Sequence, residues 1–342
     1  MPIVGGLDIH RKQLTFDYVD TDTGQLHRGQ LAPADRSHLA VWLRRFDGLD
    51  DMTFAVEACT GWRYVVEELR RAGVAVQLAE PADTAAARGR KKRAKTDRAD
   101  SKLLRELARD GRVPQCWIPP FTVLESRALL ECYHDLRRDH TAWVQRIHAT
   151  CFHQGTAALG AVGTDDDLRR LRCTAAELSP AGQVQVAVGL AMLDTLDTQL
   201  DALRRRLLDA ARHLHGAKLL TERLYGVGPI TALAMCCWLG GAGRFSSSRQ
   251  AVRFTGLDIT VYSSDGKRSP GHLSRQGPPV LRWCVYEAGK THARTSAPDH
   301  DYYATVKDRV DGKRAAISEA RKLVRRAYHI LDELGDAAFG TG

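Results

Sequence analysis

Residues 3 to 111 place three β-rich runs in quick succession and then alternate strands with helices. That order restricts the fold more than any other feature of the chain. "IVGGLDI" and "QLTFDYV" are joined by a tight turn, and "TDTGQ" turns into a third strand near "LHRGQLA". Strands joined so closely run antiparallel, because a parallel pair needs a crossover. "DRSHLAVWLRRF" then shows helical apolar spacing at Leu39, Trp42, Leu43 and Phe46. "MTFAVEA" reads as a buried strand, "WRYVVEELRRAG" as a helix ending at Gly73, and "VAVQLAEP" as another strand.

Three antiparallel strands followed by βαβ units is the order of a ribonuclease-H-like sheet, in which the first and fourth strands are neighbours. Strand-end carboxylates are informative in such a sheet. Asp8 lies in the first predicted strand, and Glu57 lies near the end of the fourth, in "FAVEACTG". "AKTDRADSKLL" then starts a helix at Thr96 with Asp97 and Asp100 three residues apart, on one face. Four acids converging on one point repel one another unless a cation intervenes. Hard oxygen donors suit Mg²⁺, one ion or two, which holds substrate phosphate in its remaining positions. Taken singly, each acid also has an ordinary explanation, since aspartate is favoured in the first turn of any helix.

The 342 residues allow two or three domains with real cores, and the net charge of +9 favours a polyanionic partner. No apolar run is long enough to span a bilayer and no signal peptide precedes "MPIVGGLDIH", so no membrane partner is expected. The eight cysteines form no CxxC pair, which predicts reduced thiols in a cytoplasmic, nucleoid-associated protein, without zinc or disulfides. A basic run immediately precedes Thr96, with Arg88, Arg90, Lys91, Lys92, Arg93 and Lys95. Such runs are usually solvated, but one that approaches the acids can pair with nucleic-acid phosphates.

Residues 121–215 read as a helical arm. Leu129, Tyr133, Leu136, Trp143, Ile147 and Cys151 mark one face of a long helix, and Leu193, Leu196, Leu200, Leu203, Leu207 and Leu214 repeat at coiled-coil spacing. Core packing is the first expectation for such a stripe, and dimerisation the second. Residues 216–342 form a third, mainly helical block. Its opening "LYGVGPITA" resembles a helix–hairpin–helix, with Gly226 and Gly228 placing backbone N–H groups where a phosphate can be met. Further on, "FTGLDITVYSSDGKRSPGHLSRQGPPVLRW" sets Ser263 and Ser264 near Lys267, Arg268, Arg275 and Arg282. By composition alone that stretch is a polar hairpin loop.

Together these motifs resemble the DEDD transposases of insertion sequences, the IS110 family. The resemblance runs through "GLDIHRKQL", "VEACTGWRY", "AKTDRADSKLL", "LYGVGPITA" with "FTGL", and "YSSDGKR…G…SRQG…LR". It implies a RuvC-like, that is ribonuclease-H-like, DEDD domain over 1–120, a helical coiled-coil arm over 121–215, and a mainly helical transposase domain over 216–342. It also implies RNA-guided recombination, in which a noncoding bridge RNA pairs with donor and target DNA and the protein acts as a dimer or tetramer. By motif, the metal tetrad is Asp8, Glu57, Asp97 and Asp100, and the nucleophile is Ser264, with Ser263 one position away. Nucleic-acid contacts are implied at the basic run, the two glycines, Lys267, Arg268 and Arg275. The chain departs from the family pattern at "DITVY" after "GL", at Asp265 after the serines, and at "RQGPP".

Two other functions fit parts of the same pattern. A structure-specific nuclease such as a junction resolvase would use the tetrad with water as nucleophile and would have no need of the serine block. Actin-like ATPases share the sheet order, but they require glycine-rich phosphate loops that this sequence lacks.

Overall fold

In the computed structural model, residues 3–88, 96–156, 175–259, 262–264, 267–269 and 271–340 are described. The chain divides into two compact units, Met1–Ile118 and Pro119–Gly342.

The first unit is built on a five-stranded mixed sheet in the order β3-β2-β1-β4-β5. β1 (Ile3–Ile9), β2 (Leu14–Asp20) and β3 (Leu26–Leu31) are antiparallel, whereas β4 (Met52–Glu57) and β5 (Ala75–Ala79) continue the sheet in parallel with β1. The first and fourth strands are therefore adjacent, as the strand order predicts. Residue parity sorts the two faces. One face carries Leu7, Phe16, Tyr18, Phe54 and Val56, buried beneath α1 (Arg36–Leu43) and α2 (Trp62–Arg71). Trp42 and Phe46 close it over Phe16 and Tyr18, with ring centroids 4.9 Å (Phe16–Trp42) and 5.3 Å (Tyr18–Phe46) apart.

The opposite face is different in kind. It carries Gly6, Ala55 and Ala79 beside the polar Asp8, Thr15 and Asp17. After the short α3 (Pro81–Ala87), α4 (Asp97–Arg109) lies on this face through Leu104 and Leu107. Its start is fixed by Thr96, whose side chain accepts a hydrogen bond from Ala99 N at 3.2 Å. A Cβ built on Gly6 would stand 2.2 Å from Ser101 O and 2.6 Å from Arg105 N, so glycine is what allows the helix backbone onto the strand. Arg105 fastens the contact. Its Nε donates to Asp17 Oδ1 at 2.6 Å, and both side chains are buried. Arg28, half exposed at the edge, donates to the other Asp17 oxygen at 2.8 Å.

Among the described residues, the second unit is helical apart from one small hairpin. α5 (Phe121–His153) and α6 (Pro180–His213) run side by side. His140 meets Asp197, Ile147 meets Gly189 and Thr150 meets Gln185, so the numbering rises on one helix as it falls on the other. Ile147, Cys151, Val186 and Leu193 form their shared core; Leu196, Leu200 and Leu207 are buried and Leu203 is half-buried. Following α7 (His215–Arg223), the almost wholly apolar α8 (Pro229–Leu239) buries every residue from Ala232 to Leu239. The chain continues with α9 (Ser248–Phe254), α10 (Pro279–Lys290), α11 (His300–Arg309) and α12 (Gly312–Leu334); α10 and α12 pack against α8, and α9 and α11 pack against α12. Strands β6 (Tyr262–Ser264) and β7 (Lys267–Ser269) form the hairpin. Among the described residues no helix is long and apolar enough to cross a membrane.

Asp17→Ala strands a buried guanidinium and is expected to cost about 3–5 kcal/mol of folding free energy. Arg28→Ala removes a half-exposed partner and should cost about 1 kcal/mol or less. Urea denaturation of the full chain measures both. Equal small losses would mean that Arg105 does not depend on Asp17.

Candidate active site

Parity already places Asp8 and Glu57 on the sheet face that α4 covers. Asp8 is the next-to-last residue of β1, with 5% of its surface exposed, and Glu57 is the last residue of the neighbouring β4. The close approach at Gly6 brings the first turn of α4 to the same end of the sheet. Asp97 and Asp100 are the residues that turn presents, the first half-exposed and the second buried. All four acids are near enough to interact. Burial, first, and then the charges of Asp100, Asp97 and Glu57 raise the Asp8 pKa from 3.8 to about 6, against the opposing pull of His10.

His10 is the group that the sequence reading left out. Its Nε2 stands 3.1 Å from Asp8 Oδ2 and 3.1 Å from Asp97 Oδ1. Asp8 Oδ2 is nevertheless buried without a hydrogen bond, so that contact is close but misdirected. The only sequence signal for His10 was its place two residues after Asp8, on the same side of an extended chain. Gln13 Nε2 donates to the second Asp97 oxygen at 3.2 Å. Asp100 is met from the opposite direction by Arg88, whose Nη2 lies 2.8 Å from Oδ1. The first cation of the basic run thus touches the acids; Arg90, Lys91, Lys92, Arg93 and Lys95 lie outside the described residues. Burial, and then the Glu57 and Asp8 charges, push the nearby Cys59 thiol up.

This donor set fits a divalent cation. Ligand atoms of Asp8, His10 and Asp97 all lie within 4.8 Å of one another, and the unbonded Asp8 oxygen lacks only a positive partner. Carboxylate oxygens predominate, as a hard cation requires.

In the second unit, Gly226 turns between α7 and α8 with φ of 75°. A Cβ there would lie 2.0 Å from Thr291 Oγ1 and 3.1 Å from Ala288 O, so this glycine faces the protein. Gly228 is open, and it starts α8 without a side-chain cap. The "FTGL" and "SRQG" motifs hold each other. Arg275 N donates to Gly256 O at 3.1 Å, and Ser274 N to Asp258 O at 3.0 Å. Ser274 Oγ donates to Asp258 Oδ1, and Arg282 Nη1 reaches Thr255 O at 3.3 Å and Arg275 O at 3.2 Å. Arg275 itself adopts φ of 53°, and its side chain is exposed. Ile259 and Leu273 bridge at the base of the hairpin, on which Ser263 pairs with Arg268 and Ser264 with Lys267.

A family model described as Transposase, of the DEDD type in the IS110 group, matches residues 5–151. Another, described as Transposase IS116/IS110/IS902 family, matches residues 218–304. The chain belongs to the IS110 family of DNA transposases. It is also 25% identical over 305 residues, 86% of each chain, to a "Probable family 20 transposase" of Pseudomonas aeruginosa. In this transposase all four acids fall within the first match, and both glycines and the serine hairpin fall within the second.

The raised pKa has a consequence for stability. A carboxyl whose pKa rises on folding takes up a proton in the native state, so its cost is absent below pH 4 and complete above pH 6. Asp8→Asn removes that cost. In buffer free of divalent metal the variant is expected to be about 2–3 kcal/mol more stable than the parent at pH 8, at 1.36 kcal/mol per pH unit. The gain should vanish near pH 4. Denaturation midpoints across that range measure it, and a pH-independent difference would overturn the assignment of the strain to Asp8.

Proposed function

We propose that this transposase cuts and rejoins DNA through a phosphoserine intermediate, with Asp8, Glu57, Asp97 and Asp100 as the metal-holding tetrad and Ser264 as nucleophile. What supports the tetrad is the gathering of four acids around a buried carboxylate oxygen that makes no hydrogen bond. The proposed ion is Mg²⁺, which when bound would neutralise phosphate charge and polarise the scissile group. The residues do the rest. Asp8 and Asp97 would hold the ion in place of their contacts to His10, and Asp100 in place of Arg88, which would leave Arg88 able to meet a phosphate.

In the transfer itself, Ser264 Oγ forms the bond to phosphorus as a sugar oxygen leaves. The serine gives up its proton and the leaving oxygen gains one. The phosphoserine bond keeps the energy of the phosphodiester, so a sugar hydroxyl of the new strand can reverse the step without ATP. The backbone register, in which Ser263 pairs with Arg268 and Ser264 with Lys267, supports the serine assignment by residue type, since cations favour a developing alkoxide. The strands named are those of donor and target DNA, and the proposed guide is a noncoding bridge RNA held by the basic run. The antiparallel pair α5 and α6 is proposed as the coiled-coil arm of 121–215, joining protomers into a dimer or tetramer, between a DEDD domain over 1–120 and a transposase domain over 216–342.

Denaturing gels of labelled DNA test the chemistry. The parent protein and Ser263→Ala should form a protein–DNA adduct, whereas Ser264→Ala should form none. Asp100→Ala should abolish cleavage and adduct alike. Cleavage without any adduct in the parent would make water the nucleophile, as in a junction resolvase.

RNA association should weaken steeply with salt, because each phosphate contact releases counterions. Replacing Arg90, Lys91, Lys92 and Arg93 with alanine is expected to flatten the logarithmic salt slope by about 3 for a single strand, at about 0.7 per phosphate. An unchanged slope would show that the run is a solvated linker.

A further inference from the structure

A groove of about 670 Å³ opens beside the base of the serine hairpin. Its charge is one-sided. Arg275, Arg309, Arg314 and Arg321 line it, and among the described residues no acid does. Its walls include apolar side chains, with Ile259 and Val310 each exposed by 40% or more. Such surface is costly to leave in water, and here it lies within a ring of guanidinium groups rather than at random.

The arginines differ in what already holds them. Arg321 donates through Nε to Leu257 O at 2.7 Å, which orients its fork on the "FTGL" backbone; burial lowers its pKa. Arg314 reaches Asp311 Oδ2 only at 3.7 Å, on an exposed surface. Arg309 and Arg275 are exposed, as is Arg314. Three of the four, Arg309, Arg314 and Arg321, lie beyond the segment 218–304 that the second family model matches.

We propose that this groove takes an unpaired stretch of nucleic acid, one or two nucleotides deep, and leads that strand toward the serine hairpin. The direction rests on the phosphoserine reading; the binding does not. Charge decides the class of ligand, since planar guanidinium forks recognise phosphate oxygens in pairs. The apolar walls decide the form. In a duplex the base faces are stacked inside, and only phosphates and groove edges could reach this surface. An unpaired base instead offers a flat face to Ile259, Val310 and an arginine plane, while its phosphates meet the arginines at the rim. Placement decides the consequence. Ile259 and Leu273 both line the groove and bridge to each other at the hairpin base, so a strand held there enters where β6 begins.

The test uses the full chain and fluorescein-labelled oligomers: twelve-nucleotide oligo-dT, twelve-nucleotide oligo-rU, and a blunt duplex of equal length. Anisotropy titrations at several salt concentrations give affinity and slope. Both single strands, or one of them, should bind more tightly than the duplex, and the tighter one identifies the strand type. Arg309→Ala/Arg314→Ala should weaken that single strand by about tenfold and reduce its salt slope by about 1.4. Val310→Asp should weaken it as well, with little effect on the duplex. Photo-cross-linking through 5-bromodeoxyuridine or 4-thiouridine should place the adducts on groove residues. Cross-links elsewhere, equal losses for duplex and single strand, or unchanged affinity would each overturn the proposal. A parent protein that binds and cross-links as expected but forms no phosphoserine adduct would leave the groove standing and remove the serine reading instead.

Discussion

The approach of α4 to β1 at Gly6 is the contact on which the acidic site depends. Asp8 and Glu57 occupy strand ends, and their positions follow from the sheet alone. Asp97 and Asp100 reach them only because the helix backbone can lie directly on the strand. Removing the Cβ at residue 6 permits this, and the buried Arg105–Asp17 pair keeps the helix from rotating or sliding. The pair is costly to desolvate and strongly directional, so it contributes more to register than to net stability. A slide of α4 by one turn would carry Asp100 away from Asp8 while leaving the apolar contacts of Leu104 and Leu107 nearly intact.

The same packing explains the state of the acids. Four carboxylates lie close together, and the fold sets polar partners of its own against them. His10 stands between Asp8 and Asp97, and Arg88 takes Asp100. Neither satisfies Asp8 completely, as its raised pKa and unbonded oxygen show. A site held in this condition is poised for exchange, because a better-placed positive charge relieves strain that the protein alone cannot.

Much of the first unit was legible in the sequence, for identifiable reasons. Short turns dictated three antiparallel strands, and period-2 patterning fixed which residues shared a face, so the adjacency of β1 and β4 and the convergence of the acids followed. The apolar stripe of Leu39, Trp42, Leu43 and Phe46 likewise gave α1 its buried side. Contacts between distant segments were not legible. Asp17 reads as an ordinary strand residue until Arg105, 88 positions later, is laid over it. Arg88 gives no sign in the sequence that it leaves its basic neighbours for Asp100. Nor did the sequence show that the missing side chain of Gly226 makes room for Thr291 and Ala288. The leucine stripe of α6 and its pairing with α5 were readable as packing, and the contact of Ile147 with Gly189 supplied the register.

The mutual grip of "FTGL" and "SRQG" also bears on how chains of this kind can diverge. Backbone hydrogen bonds from Ser274 and Arg275 close the segment that begins after Asp258, and Arg282 ties the closure from behind. Both ends of the segment are anchored in this way. The entropy of closing a loop grows only with the logarithm of its length, so doubling it costs about 0.6 kcal/mol. Insertions and replacements between the two motifs are therefore cheap for the fold, and the chain already departs from its family's pattern there. The clamp acts as a socket: it holds its shape while the piece fitted into it is free to change.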